Sequence, residues 1–195
     1  MEVKLQVENE ILDKIKHTFH SAEVSIPRKQ RVEVKLRNDL IHPFLAYLKD
    51  TLGFKHLSHI STVDWLEEKE IELVYIVMNY DNLVEVIAKI RLDREKPEIP
   101  TLREFWPQVE TYEREIHEMY GVNFLGHGNL TDFILEDWEG IPPMRRDFDT
   151  VKYAKETYFN RPGREDAQDV RTTITKKSGE EIPELAKVYS VRHLE

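Results

Sequence analysis

A chain of 195 residues with 40% hydrophobic and 33% charged residues can bury one core, with chain to spare, beneath a heavily ionised surface. A net charge of −9 argues against nucleic acid as the main partner, and the absence of cysteine excludes disulfides, thiolate nucleophiles and cysteine-ligated iron–sulfur clusters on this chain. No apolar run approaches the roughly eighteen residues that a membrane span needs, and residues 1–9 do not read as a signal peptide, so a cytosolic, non-spanning protein is expected.

Ile11, Leu12, Ile15 and Phe19 share a helical face and predict an amphipathic helix over 10–20. Pro27 interrupts. Val32, Val34 and Leu36 alternate with charges, as in a half-buried strand. Asn38 is placed to cap a second helix, with Pro43 near its first turn, an apolar face from Leu40 to Leu52, and Gly53 to close it. A strand is expected within 54–65. Residues 71–80 and 84–92, joined at Asp81-Asn82, read as a hairpin that Pro97 and Pro100 end. Thr101 and Glu104 match a capping box, so a helix is expected to start there and to break or kink at Pro107. Val109, Tyr112, Ile116 and Met119 then form a helical face that Gly121 ends, and Phe133-Ile134-Leu135 reads as a last short strand. The fold class is α+β: a small, mainly antiparallel sheet with helices on one face, plus an extended C-terminal arm.

The acidic excess lies in residues 1–139, whereas 140–195 is close to neutral. The boundary between domain and arm is therefore drawn at 139/140. Beyond Thr150 the apolar residues lose any steady period, and they cannot form a core alone. Two readings are open: a disordered tail, and an arm wrapped on a partner with Tyr153, Tyr158, Phe159, Val188, Tyr189 and Val191 as anchors. Six large apolar residues favour the arm.

Sites of chemistry are few. His56 and His59 lie in an expected strand, where their spacing sends them to opposite faces, with no carboxylate at metal-ligand spacing. Gly121, Gly126 and Gly128 follow a helix rather than open one, which suits turns better than a phosphate loop. Asp137, Glu139 and His127 could serve a stand-alone hydrolase, although Asp137 and Glu139 flanking Trp138 are more often solvated or paired with arginine. Glu110–Arg114 and Arg114–Glu118 are i,i+4 pairs of opposite sign, placing Arg114 between two carboxylates. Arg145-Arg146-Asp147-Phe148 follows Pro142-Pro143, an extended presentation that fits either a solvated basic loop or an interface centre.

The same residues carry a resemblance. Tyr112-Glu113-Arg114-Glu115-Ile116 through Met119-Tyr120-Gly121-Val122-Asn123-Phe124, then Gly126-His127, then Ile134-Leu135-Glu136-Asp137-Trp138-Glu139-Gly140, and finally Pro142-Pro143-Met144-Arg145-Arg146-Asp147-Phe148 resemble, in order and at familiar spacing, the signature of the thirty-kilodalton subunit of NADH–quinone oxidoreductase. Gly128, Thr131-Asp132-Phe133 and Asp149 depart from that pattern and point to a divergent branch, as in membrane-bound nickel–iron hydrogenases, formate hydrogenlyases, coenzyme F420 dehydrogenases and archaeal sulfur-reducing complexes.

The resemblance implies a non-catalytic structural subunit of a complex I-like, membrane-bound oxidoreductase. It would dock on the large catalytic-type subunit (the forty-nine-kilodalton or hydrogenase large-subunit homologue), beside a cluster-bearing small subunit, at the cytoplasmic face of the membrane. This chain would hold no cofactor; iron–sulfur clusters, and nickel–iron where present, would belong to the partners. Arg114, Arg145 and Arg146 would make charge-assisted bonds within the signature or across the interface. Trp138 and Phe148 would be buried anchors, and His127 a hydrogen-bonding pivot. Glu113, Glu115, Asp137, Glu139 and Asp147 complete the polar set, with Phe124 and with Gly121, Gly126 and Gly140 as backbone permissions. A free adaptor with a disordered tail is the remaining alternative.

Overall fold

The computed structural model describes residues 5–135 and 138–158, without the side chains of Lys155, Thr157 and Tyr158. Asp137, Phe159, Val188, Tyr189, Val191 and the Tyr158 side chain therefore lie outside the described residues.

Two units divide at Phe148/Asp149. In the first, helix α1 (Gln6–Thr18) buries Ile11 and Ile15, the apolar face that the sequence spacing predicts. Strands β1 (Glu23–Arg28) and β2 (Arg31–Lys35) form an antiparallel pair. The sequence reading lets Pro27 interrupt the chain; instead Pro27 sits in β1, at the edge of the sheet and beside a register shift between Ser25 and Arg28. There its missing N–H costs no ladder bond. A single 3₁₀ turn over Asn38–Leu40 leads into α2 (Ile41–Asp50). No side-chain bond from Asn38 caps this helix; its buried residues Ile41, Phe44, Leu45 and Leu48 hold it in place.

Strands β3 (His56–Trp65), β4 (Glu70–Asn79) and β5 (Val84–Asp93) follow as a meander, and the sheet order is β1-β2-β5-β4-β3. All pairings are antiparallel except β2 with β5. One sheet face carries Val32, Val34, Leu57, Ile60, Leu73, Tyr75, Val77, Val86, Ala88 and Ile90, and these share a core with α1, α2 and the later helix α3 (Val109–Tyr120). The other face carries cross-strand ion pairs, Arg31–Glu85, Lys89–Glu33 and Arg91–Glu70, at positions where the strand period turns side chains outward.

A bulge between Leu57 and His59 overturns the expectation for the two histidines. It inserts one residue, so His56 stands opposite Met78 and His59 opposite Ile76, and both point to the same face. Each ring packs on a different tyrosine, His56 on Tyr80 and His59 on Tyr112.

The meander ends at Asp93, but the chain remains extended. Glu98–Pro100 (β6) pairs in parallel with Asn123–Leu125 (β7), a two-stranded sheet that the sequence reading does not contain. Residues 140–148, which the composition shift assigns to the arm, belong to this first unit. In the second unit the described part is helix α4 (Thr150–Tyr158), so the arm begins helical rather than extended. Asp149 explains it: the carboxylate accepts the Val151 and Lys152 N–H groups at 3.0 and 2.9 Å, as an N-cap does.

Candidate functional site

The segment 112–148 begins on α3, which starts two residues after Pro107 and ends at Gly121 with φ +76°. No helix starts at Thr101. Thr101 and Glu104 do not form a capping box because Glu113, eleven to twelve residues on, takes the donors: Leu102 N–H donates to Oε1 at 2.8 Å and the Thr101 hydroxyl to Oε2. Glu113 is fully buried. Burial pushes its carboxyl up to about 7, against the lowering by Thr101, Leu102 and Arg103. His127, also buried, lies 3.9 Å from Glu113 through Nε2. Because Asn129 N–H donates to His127 Nδ1, Nε2 carries the proton and donates to the Glu110 carbonyl at 3.2 Å. The Arg103 guanidinium completes the cluster, donating to the His127 carbonyl and pairing with the Glu110 carboxylate at 3.0 Å.

Arg114 does not sit between two carboxylates. Glu110 is taken by Arg103, and Glu118 accepts the backbone N–H groups of Phe133, Ile134 and Leu135 at 2.9, 2.9 and 3.1 Å. Those three donors, which a strand would have used in a ladder, close a loop on the carboxylate instead, so 133–135 forms no strand. Against the upward push of burial, these bonds and Arg114 hold Glu118 below the usual carboxylate range. Arg114 donates to the Asp132 carbonyl at 2.8 Å and lies 4.6 Å over the Phe133 ring.

The end of the segment folds back on the sheet. Arg145 Nε donates to the Tyr120 carbonyl at 2.7 Å, at the C-terminus of α3. A Cβ at Gly121 would come within 3.1 Å of Arg145 Nη2 and 3.2 Å of Pro142 Cγ. Gly121→Ala is therefore expected to lower stability by at least about 1–2 kcal/mol, the cost of the left-handed conformation alone, read as a lower denaturation midpoint with unchanged slope.

Asp147 accepts Arg94 at 2.7 Å, and Arg94 forks onto Asp64 at 2.7 and 3.0 Å. Asp64 also accepts the Arg146 N–H at 2.9 Å, while the Arg146 side chain reaches exposed Glu67. Arg94 and Asp64 are 5% and 4% exposed. The Arg94 guanidinium, outweighing burial, holds both carboxyls below their usual range. Trp138 donates to the Ile141 carbonyl at 3.2 Å and tilts against Phe148 with ring centroids 5.5 Å apart. Both rings are half-buried rather than buried. Phe124 is buried in β7, and Gly126 and Gly140 have positive φ, at exposed positions. Glu115 and Glu139 are exposed, and Tyr153 is half-buried on α4.

Glu113, His127, Arg145 and Asp147 stand out in the sequence, but Arg103, Arg94 and Asp64, which help to hold them, do not, and Thr101 and Glu118 stand out only with other partners, Glu104 and Arg114. Of the hydrolase trio, His127 has both ring nitrogens engaged with backbone and Glu139 is exposed. Among the described residues no group of three His, Cys, Asp or Glu is placed to hold a metal ion.

The class that fold and site define is a five-stranded α+β domain whose buried charges pin its own C-terminal segment. The family model described as respiratory-chain NADH dehydrogenase, 30 Kd subunit, matches residues 34–154, and the chain belongs to that family. A relative from Methanosarcina mazei, the C subunit of F(420)H(2) dehydrogenase, is 34% identical over 129 residues, 66% of this chain and 82% of the relative. A C/D subunit of the Aquifex aeolicus NADH-quinone oxidoreductase is 30% identical over 140 residues, 70% of this chain but 23% of that longer protein. A chain in the structure of the membrane-bound sulfane sulfur reductase, an archaeal respiratory membrane complex, superposes with a TM-score of 0.73 at 36% identity, covering 78% of this chain and 92% of that one. The chain is thus a thirty-kilodalton-type subunit, a component of a multisubunit, complex I-like respiratory oxidoreductase.

Proposed function

We propose that this chain is a non-catalytic structural subunit of the peripheral cytoplasmic arm of its complex, docking on the large catalytic-type subunit and supporting electron transfer coupled to ion translocation on other chains. The observation that carries the reading is a contrast inside the signature segment. Its charged side chains Glu113, Arg114, Glu118, Arg145 and Asp147 bond its own domain, while Phe133, Ile134, Ile141 and Met144 stand 40%, 53%, 47% and 54% exposed. Rigidly held backbone presenting apolar side chains beside polar ones is the make-up of an interface. The relative whose name joins C with D supports a large partner contiguous with this domain. The iron–sulfur clusters, and nickel–iron if the branch carries it, belong to the large subunit and its small companion. Among the described residues no helix is long and apolar enough to cross a membrane, and attachment runs through the complex. The sulfane sulfur reductase likeness supports the sulfur-reducing or hydrogenase branch.

Ile134→Glu combined with Ile141→Glu is expected to reduce recovery of the large subunit with this chain tenfold or more in a pull-down from native membranes, as loss of an interface centre does. The variant chain itself should accumulate normally, since both side chains are exposed. Full recovery of the partner would overturn the docking face.

A further inference from the structure

A groove of about 270 Å³ runs between β3 and α3 and is separate from the charged cluster around Glu113. Ile60, Ile116 and Met119 form its apolar wall, and exposed Met144 stands at its rim. Its polar side chains are the Ser61, Thr62 and Tyr120 hydroxyls, which accept as well as donate, the His59 ring and the Glu115 carboxylate. Thr62 is 9% exposed and its buried hydroxyl has no hydrogen-bond partner, a state that costs free energy until a partner supplies the bond. Glu115 lies on the exposed side of α3, and no hydrogen bond or ion pair of the described residues engages it. At Tyr120, burial first and then the Asp64 and Glu115 carboxylates push the phenol up. Arg145, which approaches Tyr120 from the signature, is engaged on the Tyr120 carbonyl.

Arginine is the side chain that answers all of this: an apolar stem, a permanent positive charge, five donors and no acceptor. A neutral aliphatic side chain would leave Thr62 unpaired, and an acidic one would meet Glu115. We propose that the groove between β3 and α3 is a receptor for an arginine side chain presented by the subunit that docks on this face, with Thr62 and Tyr120 accepting its N–H groups and Glu115 its charge. The proposal deepens the docking reading and rests on it. The groove then acts as a register pin, since one inserted side chain fixes where the partner lies along β3.

The test uses the intact complex purified from native membranes. A photo-crosslinking benzoylphenylalanine replaces Met144, and the crosslinked peptide is mapped by mass spectrometry; Glu115→Arg and Thr62→Val chains are assembled in parallel. Glu115 is exposed and valine matches threonine in shape, so both variants keep the fold. The expected result is a partner peptide containing arginine, a tenfold or greater loss of this chain from the complex with Glu115→Arg, and recovery when that partner arginine is changed to glutamate. A crosslinked peptide without arginine, or a Glu115→Arg complex as tightly held as wild type, overturns the receptor and leaves the docking reading standing. Absence of any crosslink to a partner, together with full partner recovery by the Ile134→Glu/Ile141→Glu chain, overturns both.

Discussion

Arg94→Ala is expected to destabilise the domain by about 3–5 kcal/mol, the cost of removing one partner from a buried ion pair. Arg94 is the only described cation that contacts Asp64 and Asp147 together, at 2.7 Å to each, and it is almost fully enclosed. Without it, Asp64 remains a buried carboxylate with the Arg146 N–H as its surviving hydrogen bond. Asp147, with a side chain 39% exposed, can turn to water, and the hold on residues 145–147 goes with it. Guanidinium denaturation should show the loss, and hydrogen exchange should show faster exchange at the Arg146 amide. Arg94→Lys should recover only part, because an ammonium cannot reproduce the two-pronged contact with Asp64. The double change Arg94→Met with Asp64→Leu should be less damaging than Arg94→Ala alone, since it removes the orphaned charge as well as its partner. Equal losses in the two proteins would mean that the pair does not act as a unit. The same alanine variant should also weaken capture of the large subunit, because Met144 and Ile141 are presented by the segment that Arg94 ties down.

The parts of this fold that were legible in the sequence are those whose cause is local. The β-prone composition of 71–80 and the alternation over 84–92 are properties of neighbouring residues and led to the β4–β5 hairpin directly. Gly121 adopts the left-handed conformation that its place after Met119-Tyr120 suggests. The misread parts have distant causes. Pro27 looks like a breaker until it is known that β1 is an edge strand. Strands β6 and β7 have three residues each, too few to show a period. Thr101-x-x-Glu104 is locally a sound capping box, but Glu113 from another element outcompetes Glu104 for the same turn. Phe133-Ile134-Leu135 has strand composition, yet Glu118, fifteen or more residues earlier in sequence, takes its N–H groups.

The site divides in the same way. Resemblance to a known signature located Glu113, His127, Arg145 and Asp147, but a signature names residues and not what they touch. Arg94 sits in a run of alternating charges, Asp93-Arg94-Glu95-Lys96, that reads as a solvated turn. Its partners are 30 and 53 residues away, a separation at which no periodicity or pairing rule operates. Of the two tasks expected of the arginines, bonds within the signature or across the interface, Arg114 and Arg145 perform the first, on the Asp132 and Tyr120 carbonyls. What the segment leaves exposed for a partner is apolar, in Phe133, Ile134, Ile141 and Met144, or acidic, in Glu115 and Glu139.

Glu113 should give the domain a pH dependence of unusual sign. Its folded carboxyl is raised from 4.5 to about 7, chiefly by burial, so the folded state holds a proton that the unfolded state has released over that interval. The contribution is fully present below about 4.5 and is lost as pH rises toward about 7, with a total on the order of 3 kcal/mol. Asp64, Asp147 and Glu118 act in the opposite sense: lowered in the folded state, they contribute above their ordinary carboxyl range and lose that contribution as pH falls through their folded values. Denaturation midpoints of the wild type should therefore fall between about pH 5 and pH 7. Glu113→Gln should flatten that limb, because its amide oxygen can keep the Leu102 bond while the Thr101 hydroxyl rotates to accept from the amide nitrogen. The groups facing Glu113 sharpen the comparison: Arg103 favours its ionised form, and Tyr75, fully buried, has its own phenol pushed up by burial and by Glu113. Parallel limbs in wild type and Glu113→Gln would show that the carboxyl is ionised throughout. A flattened limb would mean that, at neutral pH, the joint between the Thr101–Arg103 turn, α3 and the His127 loop is held by a group that is only partly charged.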